Sequence, residues 1–145
     1  MTKVEILSDS AYHHQREHLN EKQTDTFKYP CVYTITKQGE CINLYYSSTN
    51  EKGHYGVPKV IFSNGAGCVP VIDEKGEYGL TEFACGIVDD VENLHLIQKA
   101  MMTEKFLEIM KACQMQGFNR YSWKVMRCFR KDFWKEFVDE NGKEI

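Results

Sequence analysis

The chain has 145 residues and a formal net charge of −3, and 42% of its residues are hydrophobic. That length and apolar content suit one globular domain over residues 1–145 with a core of its own, and they exclude a disordered or fibrous chain. No apolar run reaches the roughly 18 residues of a membrane span, and the first residues lack the apolar centre of a signal peptide. We therefore expect a cytoplasmic protein with no membrane partner.

The first 29 residues predict a helical N-terminal arm. Ser10–Glu21 is polar and is preceded by residues that cap helices well. His13, His14 and His18 have a spacing that would place two imidazoles on one face of that helix, but no cysteine or carboxylate pattern completes a zinc site. Pro30 disfavours a helical conformation at the residue before it, so the arm ends there.

Residues 30–88 predict the β-rich part of the domain. Two alternating runs, 31–37 and 41–48, flank a turn at Gly39 and indicate a β-hairpin. Further β-branched and apolar runs predict three more strands, which lie within 57–63, 68–73 and 79–88. We expect one mainly antiparallel, curved sheet of about five strands.

Residues 89–138 have the apolar period of helices. Asp90 is a candidate cap for a first helix and Thr103 for a second, so two consecutive helices or one kinked helix are expected. A third helix is predicted within Tyr121–Phe129, and aromatic residues after it would close the core. Residues 139–145 are charged and predict a frayed tail. A run of strands followed by a run of helices predicts the α+β class.

Six cysteines are scattered along the chain without a CxxC pair. Most of their neighbours are apolar, so we expect reduced, buried thiols and no disulfide framework. The sequence predicts neither a bound metal nor a cofactor.

Basic residues concentrate in 111–135, where a single acidic residue, Asp132, opposes them. Aromatic residues are interleaved with them. Such a pattern is typical of a surface that binds DNA phosphates, and equally of helices with an aromatic core side and a solvated basic side. We favour a mixture, in which the aromatic rings form core and several of these basic residues contact phosphate: Arg120, Lys124, Arg127, Arg130 and Lys131.

The segment Tyr45–Gly65 places a glycine-rich loop between two strand-like runs, with Lys59 just beyond the loop. Glycines permit positive φ angles and close backbone approach, which suits a loop that meets a ligand. His54, Tyr55 and Lys59 would then read or clamp DNA. The alternative is a packed loop tip beside an ordinary surface lysine.

Together with Gly76–Asp90 and Arg130–Phe137, this loop segment resembles the C-terminal target-recognition domains of adenine-specific DNA methyltransferases in restriction-modification systems, the Taq-like and type IIG group. The resemblance covers roughly residues 11–138. It implies sequence-specific recognition of double-stranded DNA by a domain or specificity subunit. The partner it implies is a methyltransferase catalytic domain or subunit that binds S-adenosylmethionine and modifies a flipped adenine.

The catalytic motifs of that group are missing from this chain. It has three prolines, no Asn-Pro-Pro-aromatic tetrapeptide and no glycine-rich cofactor loop. The sequence therefore predicts no catalytic residue and no enzymatic activity of its own.

Two alternatives stay open at this point. Asp73, Glu74 and Glu77, with Lys59 or Lys75, could form the magnesium site of a small nuclease or hydrolase, although carboxylates at a turn are more often solvated. The aromatic C-terminal part could instead serve a protein-interaction module.

Overall fold

A computed structural model describes residues 2–7, 19–35, 42–49, 55–63, 69–81, 84–113 and 123–145. The predicted α+β class is confirmed, since mostly antiparallel sheets are followed by helices. The strands are β1 (Glu5–Leu7), β2 (Leu19–Asn20), β3 (Tyr29–Ile35), β4 (Ile42–Ser47), β5 (Lys59–Ser63), β6 (Val71–Asp73), β7 (Gly79–Leu80) and β8 (Ala84–Val88). The helices are α1 (Leu94–Met101), α2 (Glu104–Cys113) and α3 (Trp123–Met126), with 3₁₀ turns at Val91–Asn93 and Phe133–Glu136.

The described strands form two sheets, and the expectation of one five-stranded sheet is wrong. The first sheet has the order β1-β8-β5-β6 and the second has the order β2-β4-β3-β7. All neighbouring pairs are antiparallel except β3 and β7. The predicted pairing of the two hairpin strands is confirmed as β3–β4, while the predicted turn at Gly39 lies outside the described residues.

The two sheets share the run 79–88, which was predicted to be one strand. Its first part, β7, pairs with β3 in the second sheet, and its last part, β8, pairs with β5 in the first. Thr81 marks the crossing, because its backbone N–H and its hydroxyl both donate to the carbonyl of Val32, at 3.2 Å and 2.8 Å. One apolar run therefore serves two sheets.

The described parts of the N-terminal arm contain two strands in place of the predicted helix. β1 pairs with β8, and β2 pairs with β4. The predicted helix Ser10–Glu21 therefore does not reach Leu19, whose side chain is buried against Cys31. Pairing with β4 outweighs the local helical preference of this segment. Residues 8–18, with the three histidines, lie outside the described residues.

Two consecutive helices are confirmed after the sheets, with one of the two predicted caps. The hydroxyl of Thr103 accepts a hydrogen bond from the backbone N–H of Phe106 at 3.2 Å. Asp90 makes no side-chain cap hydrogen bond. The neighbouring Asp89 accepts at Oδ1 from the backbone N–H of Asp90 at 2.7 Å and from the side-chain amide of Asn93 at 3.1 Å, and neither of these bonds caps a helical N–H group.

The C-terminal part closes the core around Phe106, which is fully buried. Its ring lies 5.1 Å from that of Phe137 and 6.0 Å from those of Phe129 and Phe133. The tail after it is folded back and the prediction of a frayed tail is wrong: Ile145 donates its backbone N–H to the carbonyl of Phe137 at 3.0 Å.

Four described cysteines are free thiols, but only two are buried as predicted. Burial raises the pKa of both Cys31 and Cys85 to about 12. Cys113 and Cys128 are exposed, whereas Cys41 and Cys68 lie outside the described residues. No helix in the described ranges is long and apolar enough to cross a membrane.

Replacing Phe106 by alanine should lower the free energy of unfolding by about 3–5 kcal/mol, because the change leaves a cavity among three aromatic rings. Urea denaturation followed by circular dichroism measures this. Met102→Ala is the control, since Met102 is 49% exposed on the same helical region and should change stability by less than about 0.5 kcal/mol. An equal effect of the two changes would contradict this account of the core.

Candidate functional site

Lys59 is fully buried, and its ammonium group is paired with the buried carboxylate of Asp73. The two residues lie directly opposite each other on the antiparallel strands β5 and β6. The distance from Lys59 Nζ to Asp73 Oδ2 is 2.7 Å. Strand pairing thus delivers both charges to one point in the interior.

Hydrogen bonds satisfy both members of this pair. Besides Asp73, Lys59 Nζ donates to the backbone carbonyls of Val57 at 2.9 Å and Tyr78 at 2.5 Å. The carboxylate of Asp73 accepts from the backbone N–H groups of Glu77 at 2.7 Å and Tyr78 at 3.1 Å. An ammonium has three N–H donors, and all three have an acceptor here. A buried charge is tolerated under these conditions.

Burial and pairing act on Lys59 in opposite directions. Loss of hydration is the larger effect and lowers the pKa of its ammonium, while the hydrogen bond and the negative charge of Asp73 raise it. The charge of Lys59 also acts on the thiol of Cys31. Burial raises the pKa of that thiol, and the positive charge of Lys59 partly opposes the rise. Cys31 belongs to β3, so the ammonium lies near both sheets.

Two glycines fit the backbone closely around this pair. Gly86 faces the aliphatic stem of Lys59, and a Cβ at that position would lie 2.8 Å from Lys59 Cδ. Gly76 has a φ of +67°, and its Cβ would lie 2.5 Å from the carbonyl carbon of Gly56. The backbone N–H of Gly56 donates to the carbonyl of Gly76 at 2.8 Å. This hydrogen bond and the close backbone packing join the turn at 55–57 to the turn at 73–76.

The predicted role of Lys59 is corrected by this geometry. A lysine with no exposed surface neither reaches DNA nor behaves as an ordinary surface lysine. The apolar residues that follow it in β5 are all buried. An unbroken apolar run of this kind is typical of a strand buried on both faces, and it was the signal in the sequence for an interior lysine. The sequence placed Asp73 with Lys59 only in the alternative magnesium site. Their buried ion pair was missed, because the two residues are 14 apart in the chain and only strand register brings them together.

The acidic turn proposed as a magnesium site has a structural use. The carboxylate of Asp73 is taken up by Lys59 and by two backbone N–H groups, while Glu74 and Glu77 are exposed. In the described part of the chain, no group of three or more His, Cys, Asp or Glu residues is placed to hold a metal ion.

Three predicted phosphate-binding residues, Arg127, Arg130 and Lys131, are exposed on the segment that runs from α3 to the last 3₁₀ turn. This segment is attached to the N-terminal edge of the domain. The backbone N–H of Lys131 donates to the carbonyl of Thr2 at 3.0 Å, and Arg130 forms a β-bridge with Lys3. The fold therefore brings Lys3, which precedes β1, beside the basic segment.

Two carboxylates lie beside Arg130, although the sequence predicted only one acidic residue, Asp132, among the basic ones. Its Nη2 is 2.5 Å from Glu136 Oε1, and its Nε is 3.9 Å from Asp132 Oδ1. Asp132 also lies 3.8 Å from Lys135. The surface is thus a mixture of both charges rather than a uniformly basic patch.

Arg130 separates two clefts. One is polar, measures about 400 Å³ and is lined by Asp89, Asp90, Lys131 and Trp134 among others. The indole N–H of Trp134 is buried and has no hydrogen-bond partner within the described residues. The other cleft measures about 310 Å³ and is mainly apolar. Its lining residues are Lys105, Ile109, Phe129, Arg130, Phe133, Glu136 and Phe137.

The remaining predicted site residues have different outcomes. Tyr55 is half-buried, and its ring meets that of Tyr29 edge to face at 5.3 Å. Lys124 lies in α3, but its side chain is outside the described part of the structure. His54 and Arg120 also lie outside the described residues.

No family model, no curated protein and no solved structure matches this chain.

Replacing Lys59 by methionine should lower the free energy of unfolding by about 3–5 kcal/mol, because the carboxylate of Asp73 would stay buried without a cation. Chemical denaturation at neutral pH measures the effect. Lys75→Met is the matched control, since Lys75 is exposed in the turn after Asp73. A loss no larger than that of the control would show that Lys59 is not buried in solution.

Proposed function

We propose that this chain recognises double-stranded DNA, as the target-recognition domain or specificity subunit of an adenine methyltransferase. The observation that carries the proposal is the exposed group Arg127, Arg130 and Lys131 on one short segment. A cytoplasmic location belongs to the same proposal. In this scheme the partner catalytic domain binds S-adenosylmethionine and performs the chemistry, while this chain holds the duplex at the chosen site.

Exposed guanidinium and ammonium groups suit phosphate binding, because they neutralise backbone charge and release counterions. The carboxylates beside Arg130 do not remove that capacity. Exposed ion pairs contribute only about 0–1 kcal/mol, so Arg130 can exchange Glu136 for a phosphate at small cost. The same carboxylates repel phosphates that approach out of register, which favours a defined orientation of the duplex.

The apolar cleft between α2 and the C-terminal segment favours a second candidate function. Partly exposed apolar groups, among them Ile109 and Phe129, line it beside the charged Lys105. Such a cleft suits an anchoring side chain of a protein partner. The chain would then be a protein-interaction module, with or without DNA.

Arg127→Ala and Arg130→Ala should weaken binding to all duplexes alike and reduce the slope of log affinity against log salt by about one unit per lost phosphate contact. Titration of a labelled duplex at several salt concentrations measures this.

Lys22→Ala is the control for that titration, because Lys22 is exposed but lies outside the basic segment. It should leave both affinity and slope unchanged. If the unaltered protein binds no duplex even at low salt, the DNA proposal fails and the interaction module takes its place.

A further inference from the structure

The turn at 55–57 is held from both sides by the buried network around Lys59. The backbone N–H of Gly56 donates to Gly76, and the carbonyl of Val57 accepts from Lys59 Nζ. Gly76 belongs to the turn that follows Asp73, and Lys59 is paired with Asp73 itself. Loops generally run over the surface and are more mobile than the elements they connect, whereas this turn is hydrogen-bonded to a buried ammonium group.

We propose that Lys59 and Asp73 are positioning residues, which fix the turn carrying Tyr55 so that it discriminates between DNA sequences. This inference rests on the proposed function. Neither residue touches the ligand, and both act through the backbone of the turn.

Discrimination depends on rigid placement more than affinity does. A side chain that reads a base edge must be held within about 0.5 Å of its productive position, whereas a phosphate contact tolerates adjustment. Tyr55 is restrained at two points, because the next residue, Gly56, is hydrogen-bonded to Gly76 and the ring of Tyr55 is packed against that of Tyr29.

Gly76→Ala tests the inference without removing a buried charge. The new Cβ would meet the backbone of Gly56 at 2.5 Å, so the two turns must separate. Gly142→Ala is the matched control. Gly142 also has a positive φ, +82°, but its Cβ would meet the flexible side chain of Lys99.

The experiment starts from a randomised duplex pool, which is selected on the unaltered protein and sequenced. The most enriched duplex and a scrambled duplex of the same composition are then titrated with each variant, at a temperature where circular dichroism shows every variant folded. Gly76→Ala should lose roughly tenfold in the ratio of the two affinities. Its affinity for the scrambled duplex and its salt slope should equal those of Gly142→Ala.

A Gly76→Ala protein that discriminates as well as Gly142→Ala would overturn the inference and leave the proposed function intact. Absence of any enriched duplex with the unaltered protein would overturn both.

Gly56→Ala is measured in parallel, in case Gly76→Ala does not fold. Gly56 has a φ of +92°, and its Cβ would meet no atom within 4 Å, so the change strains the turn without a clash. It should also reduce the affinity ratio, and an unchanged ratio would count against the inference.

Discussion

A lysine ammonium sealed inside the protein is the constraint on which the described β structure depends. Lys59 lies on β5 of the first sheet, and one of its acceptors is the carbonyl of Tyr78, immediately before β7 of the second sheet. Taking an ammonium and a carboxylate out of water costs several kcal/mol for each ion unless pairing and hydrogen bonds compensate. The backbone must therefore bring acceptors to Nζ and donors to Asp73, and this fixes where the chain passes from one sheet to the other.

Lys59 and Asp73 are buried and stabilise the fold, so a ligand can be bound only by exposed residues. The features left for binding are the basic segment at Arg127–Lys131, the two clefts beside it and the turn that carries Tyr55. Net charge counted along the sequence does not describe this surface, because acidic residues from other segments lie beside the basic ones. Glu136 lies just beyond the basic block in sequence, yet it contacts Arg130 directly, and Asp89 and Asp90 reach the polar cleft from the start of the helical part.

Local signals predicted the elements that depend on local order. The pairing of β3 with β4 follows from two alternating runs that are close in sequence, and the break between α1 and α2 follows from the capping hydroxyl of Thr103. The division into two sheets could not be predicted in this way. It depends on a two-residue strand, β7, and on hydrogen bonds from Thr81 to Val32, which is 49 residues away.

The sequence predicted the exposed basic residues of the candidate site, but it did not predict the buried ion pair of Lys59 and Asp73. Arg127, Arg130 and Lys131 are exposed because charged side chains rarely lose their hydration. That same rule led to the wrong expectation for Lys59. The apolar run after it indicates an interior strand, but the carboxylate that compensates its charge comes from another strand, and strand register sets that pairing. Strand β2 was missed for a related reason, because it owes its conformation to β4 rather than to its own sequence.

Hydrogen exchange of the lysine ammonium groups, followed by proton–nitrogen NMR near 0 °C, tests the buried pair most directly. Lys75, exposed in the turn after Asp73, provides an internal reference in the same spectrum. A buried Lys59 with all three N–H groups bonded should give a resolved ammonium signal that exchanges at least about tenfold more slowly than that of Lys75. Exchange of Lys59 as fast as that of Lys75 would contradict the account, because it would place the Lys59 ammonium in water.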